Sequence, residues 1–192
     1  MRVSIYLLSS LVLLTLGCRK ANILTLPINE EYTGTAEIEW NGLLIDDLRV
    51  RALYNQFDYD YASVQADRLV GAFNQMDIGL SISGVFLETP VGDTLYVKPE
   101  GRLMLERDSV HASLGILEGD VSLESYELNT NHPAWVILEH WDPVTEEIEI
   151  RMSMVFRRLE RENRPVIHPL ANDEVRITNA TMRGTVLDLL DN

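Results

Sequence analysis

The chain contains one cysteine, Cys18, in 192 residues. No internal disulfide is available, so whatever folds must be held by packing alone. Positive charge is also scarce: 16 Lys and Arg stand against 30 Asp and Glu, a formal charge of −14. That deficit argues against nucleic acid, whose phosphates need a basic face, and against charge-driven docking on anionic lipid. No uncharged apolar run reaches the roughly 20 residues that a membrane-spanning helix requires, and Val3 to Leu16 stops short of it. A Gly-x-Ser-x-Gly elbow, a His-Glu-x-x-His pair, a glycine-rich phosphate loop and an EF-hand loop are all missing. So are internal repeats, low-complexity tracts and any amphipathic helix longer than about two turns.

What is present begins with a signal. Arg2 and the free amine give a positive start, Val3 to Leu16 is uncharged and mostly apolar, and Leu16-Gly17-Cys18 closes the run. This pattern fits a cleaved secretory segment. The residues Leu14-Thr15-Leu16-Gly17-Cys18 resemble the lipobox of bacterial lipoproteins, with Gly17 and Cys18 matching and Thr15 and Leu16 departing from the usual residues. The resemblance implies cleavage before Cys18 and lipidation of its sulfur. An ordinary secretory signal is the alternative. Arg19 follows the cysteine, where an Asp would go with inner-membrane retention, so the outer membrane is the expected location, with the lipid as the link to the membrane. The expected organisation is a signal over 1–17, a lipidated cysteine and tether over 18–31, and one domain over 32–192. Without Arg2 the mature chain carries 15 basic and 30 acidic side chains, a formal charge of −15.

Period-two alternation dominates the rest. Ala36, Ile38 and Trp40 alternate with Glu37 and Glu39, and Asn41-Gly42 is the strongest short hairpin signal a sequence offers. A strand from 43 to 54 is expected to break at Asp46-Asp47, residues 55–63 read as a polar, aromatic loop, and 64–73 is ambiguous between strand and helix. Met76 to Ile82 alternates cleanly, and further strands are expected at 94–97, 103–107, 110–117, 121–128, 135–141, 146–159, 175–177 and 182–187. Turn residues separate them, including Gly92-Asp93, Asp108-Ser109 and Glu118-Gly119-Asp120. The expectation is an all-β fold, an antiparallel β-sandwich of about eleven short strands, with a lipocalin-like barrel as the alternative. The run His140 to Thr145, the long strand after it and Val175 to Ala180 resemble the ending of small uncharacterised β-rich bacterial lipoproteins. That resemblance implies architecture only.

Chemistry is sparsely marked. His111, His132, His140 and His168 have no ligand spacing, and Asp46-Asp47 and Asp58-Tyr59-Asp60 lack the glycine and spacing of a calcium loop, so neither metal nor cofactor is expected. Asn179-Ala180-Thr181 matches a glycosylation pattern that has no meaning behind a bacterial signal. The candidate binding residues are Phe57, Asp58, Tyr59, Asp60 and Tyr61, aromatics interleaved with carboxylates, although their spacing equally suits a strand covering the core. Glu139 is a further candidate. A hairpin loop over Asp142 to Thr145 would pair Trp141 with Glu146, Glu139 with Ile148, Ile137 with Ile150 and Trp135 with Met152, placing Glu139 on an apolar face. Three functions follow: a non-catalytic anchored domain binding a glycan, a peptide or an envelope protein; a carrier of a small apolar molecule; and a hydrolase with paired carboxylates, which leave no motif. The first is favoured, and catalysis is left open.

Overall fold

The computed structural model describes residues 32–55, 58–70, 75–84, 87–99, 110–118, 121–159 and 168–187. Cys18, the tether, Phe57 and the expected strand at 103–107 lie outside them. The described residues form ten strands: β1 (Gly34–Trp40), β2 (Leu43–Asn55), β3 (Asp58–Val70), β4 (Gln75–Gly84), β5 (Thr94–Lys98), β6 (Val110–Glu118), β7 (Val121–Leu128), β8 (Trp135–Asp142), β9 (Glu147–Arg158) and β10 (Glu174–Leu187). They share one hydrogen-bonded sheet in the order β1-β10-β2-β3-β4-β6-β5-β8-β9-β7, with β1–β2, β9–β10 and β6–β7 also paired. The domain is all-β, as the alternation requires. Most pairings are antiparallel, but β2–β10 and β5–β6 are parallel.

Strand boundaries settle differently from expectation at three places. Of the stretch expected as a loop over 55–63, the described residues are strand: β2 runs to Asn55 and β3 starts at Asp58, with Asn55 paired to Asp58. The ambiguous stretch after it is strand as far as Val70. The two final strands are one, β10, interrupted where Thr178 and Asn179 bulge and Asn179 takes φ 50°. Asn is among the few non-glycine residues at ease in that left-handed region.

Local chemistry explains the hairpins. Asn41 and Gly42, at φ 51° and 83°, make the two-residue turn between β1 and β2. The Asn41 side chain then continues the β1–β10 ladder: the Arg176 N–H donates to Asn41 Oδ1 at 2.7 Å and Asn41 Nδ2 donates to the Glu174 carbonyl at 3.2 Å. The Asp46-Asp47 break is a bulge within β2. The β8–β9 register differs from expectation, with Asp142 facing Glu147, Trp141 facing Ile148 and His140 facing Glu149. Asp142 stays in the ladder because its Oδ1 accepts the N–H groups of Val144 and Thr145, and Glu146 closes the turn at φ 58°. A second irregularity at Glu139 then turns the rest of β8 over. Leu138 faces Ile150 and Val136 faces Met152, all buried, while Trp135, Ile137 and Glu139 point outward. One extra residue exchanges the faces of a strand.

The inward positions are filled. Ile38, Trp40, Leu48, Ile78, Leu80, Ile82, Ile116, Leu138, Ile150, Met152 and Phe156 are fully buried, and they make one continuous core. The strands therefore pack as a filled sandwich rather than the hollow lipocalin-like barrel. At one end the turn over 168–173 adds Leu170 and Ala171 to this core. His168 Nε2 donates to Asp77 Oδ1 at 2.7 Å while its Nδ1 accepts the Leu170 N–H, and Arg158 reaches Asp173 at 2.6 Å.

Asp67 is the one fully buried carboxylate among the described residues. It points outward from β3 but is covered, accepting the Tyr32 hydroxyl at Oδ2 and Gln65 Nε2 at Oδ1, both at 2.9 Å. Tyr32 also lies over the Arg51 guanidinium, 6.0 Å from its ring centre. Burial raises the Asp67 pKa above its ordinary 3.8, against the lowering effect of the Gln65 and Tyr32 hydrogen bonds and the Arg51 charge. A raised folded-state pKa means that the native state holds the extra proton. The group's contribution is therefore fully present below the unfolded value and is lost as pH rises through the folded one. Wild type should accordingly gain stability relative to Asp67→Asn as pH falls from 7 towards 4. Urea unfolding of both proteins across that range measures it, and an opposite trend would refute the burial argument.

Candidate functional site

Among the described residues the inward faces are taken up by the core, and the cavities open on an outward face. The most developed one spans β8, β9, β10 and β1, where facing residues form rows across the strands. One row runs Tyr96, Trp135, Ser153, and the next Thr94, Ile137, Arg151, Thr181, Glu37. A third joins His140, Glu149, Arg183 and Thr35, and a fourth Asp142, Glu147 and Thr185. A cavity of about 350 Å³ opens along the third and fourth rows, lined by Thr33, Gly34, Thr35, His140, Glu147, Ile148, Glu149, Arg183, Gly184 and Thr185. A smaller one of about 70 Å³ continues it over Thr35, Ala36, Glu37, Thr181 and Arg183.

The charged groups here are ordered. Arg183 Nη2 lies 2.9 Å from Glu149 Oε1, and Arg151 Nε lies 2.5 Å from Glu139 Oε1. The hydrogen bond and charge of Glu149 raise the Arg183 pKa further, with Glu37 adding to the effect, so Arg183 is a permanent cation. The N–H groups of Val144 and Thr145 hold Asp142 below the usual carboxylate range. Glu37 and Glu147 have no ion pair among the described residues. The Arg151 guanidinium sits 5.7 Å from the centre of the Trp135 ring, which fixes both on the face.

The floor is made where the domain's first and last strands meet. The chain crosses so closely that Gly34 and Gly184 lie backbone to backbone. Thr33 locks the crossing, its hydroxyl donating to the Thr185 carbonyl at 2.6 Å and accepting the Thr185 N–H at 3.1 Å.

Of the residues singled out from sequence, Glu139 belongs to this face, held by Arg151 at its edge. It is half-buried and paired, and it does not stand on an apolar inner face as the expected register required. Asp58, Tyr59, Asp60 and Tyr61 lie at the start of β3; their side chains, like Phe57, lie outside the described residues. His168 pairs with Asp77, His132 lies 3.8 Å from Glu174, and Asp47 meets Arg68 at 3.1 Å. Among the described residues no three potential metal ligands come together. Of the three buried carboxylates among the described residues, Asp67, Asp77 and Glu124, the first two are committed to internal partners. No motif in the sequence marks Thr33, Thr35, His140, Glu147, Glu149, Arg183 and Thr185 as neighbours in one site. Alternation marks them as outward, but nothing local says that 33–35 and 183–185 share a floor. No family model matches the chain, and neither a curated protein nor a solved structure is similar to it.

Proposed function

We propose that the chain is a lipid-anchored, non-catalytic binding domain of the bacterial envelope, held in the outer membrane through Cys18, and that its ligand lies on the outward face of β8, β9, β10 and β1. The anchor rests on the pattern that ends in Gly17-Cys18. Two or three acyl chains, at about 0.8 kcal/mol for each buried methylene, hold a domain effectively permanently. The binding role rests on one observation: the cavity of about 350 Å³ with its ordered polar lining. A carrier of apolar molecules needs an empty interior, and among the described residues the inward positions are occupied by core side chains.

Two variants test the reading. Cys18→Ser should move the protein from the membrane to the soluble fraction, and continued membrane association would defeat the anchor. Thr35 is exposed and lines both cavities, so Thr35→Trp should fill the face without disturbing the core. Retention of the full chain on immobilised envelope polysaccharide and peptide pools should be lost in Thr35→Trp at an unchanged thermal midpoint. Equal retention by both proteins would put the site elsewhere.

A further inference from the structure

We infer that the ligand of this face is a neutral or amine-bearing oligosaccharide. The inference rests on the binding reading above and names its ligand class. A sugar hydroxyl donates and accepts at once, so its site needs donors and acceptors interleaved at fixed spacing. Arg183 with Glu149 and Arg151 with Glu139 supply that on adjacent strands, each ion pair keeping spare donors and acceptors. Strand spacing of roughly 4.8 Å sets their separation, and β-sheet backbone holds it.

A sugar ring also presents an apolar C–H face, for which an aromatic ring is the usual complement. Tyr96 is 71% exposed on β5 and stands directly opposite Trp135. From the Trp135–Ser153 pair to Glu147 the face runs six residues of strand, roughly 20 Å, which is room for a chain of sugars rather than one.

Charge narrows the class. With Glu37 and Glu147 beside Glu149 and Glu139, carboxylates outnumber the Arg183 and Arg151 guanidiniums on the face of β8, β9, β10 and β1, which disfavours phosphate, sulfate and carboxylate groups. A peptide fits less well. The floor is Gly34, Gly184 and threonine, without the deep apolar pocket that anchors a side chain, and β1 is paired on both edges, by β2 and β10, which closes it to strand addition.

The test applies the detergent-solubilised full chain to immobilised neutral hexose oligomers, amine-bearing hexosamine oligomers, uronic-acid oligomers and basic peptides. Retention is expected on the first two classes and not on the third. Trp135→Ala should weaken it by about tenfold or more, and Tyr96→Ala, at an exposed position safe for folding, should do likewise at an unchanged thermal midpoint. Retention on basic peptides alone, lost in Thr35→Trp, would overturn the oligosaccharide and leave the binding face standing. Glycan retention indifferent to Thr35→Trp, Trp135→Ala and Tyr96→Ala would overturn both. Retention on none of the probes would overturn the oligosaccharide inference.

Discussion

Gly34→Ala should destabilise the domain by at least about 3 kcal/mol, lowering the thermal midpoint by roughly 6–12 °C, or prevent folding altogether. A Cβ at this position would stand 1.8 Å from the Arg183 carbonyl oxygen and 2.5 Å from the Gly184 Cα. Both are backbone atoms in a strand that β9 holds on its far side, so neither can yield as a flexible side chain would. Gly42→Ala is the informative control. Gly42 has nothing within 4 Å of a would-be Cβ but sits at φ +83°, so its cost is conformational, about 1 kcal/mol. Calorimetry on the two variants separates lack of space from backbone preference. A Gly34→Ala protein as stable as Gly42→Ala would mean that β1 and β10 do not cross as described.

The second large effect concerns Trp40, which is 1% exposed and whose indole N–H has no hydrogen-bond partner among the described residues. Trp40→Ala should cost about 3–5 kcal/mol, the range for losing a large aromatic from a packed core. Trp40→Phe should cost under about 1.5 kcal/mol, because the volume it loses is offset by removal of an unsatisfied buried donor. Denaturant unfolding of both variants decides the matter. A Phe variant as unstable as the Ala variant would show that the indole N–H makes a bond that matters.

What was legible in the sequence was what neighbouring residues determine. Asn41-Gly42 announces its turn because both residues tolerate positive φ, and the alternation in β4, β6, β7 and β9 follows from one wet face and one dry face. What was hidden depends on distant partners. The extra residue at Glu139 looks like any other strand residue in sequence, yet it moves Trp135 from the expected inner face to the outer one. Asp67 sits at an outward position, and only Tyr32 folding over it makes it buried. The candidate site eluded the sequence for the same reason, since Thr35 meets Arg183 and Glu149 only after the ends of the domain come together. The Phe57 to Tyr61 segment illustrates the remaining ambiguity: its period-two spacing suited a strand, and Asp58 onward is one.

The pairing of β1 with β10 also bears on how the domain comes into being. Of the ten described strands, the first in the chain, β1, has two partners, β2, which follows at once, and β10, the last of the ten. Until the final strand is available, one edge of β1 and one edge of β9 stay open, and closing them joins positions as far apart as Thr35 and Arg183. Such non-local closure is slow, and open strand edges are where unfinished chains stick to one another. A chain emerging from its N-terminus would hold these edges exposed until β10 had followed. Mutual repulsion among 30 acidic side chains is then a safeguard during assembly as well as a property of the finished surface. A chain cut within β10 would not fray at its tip; it would leave a seam running the length of the sheet.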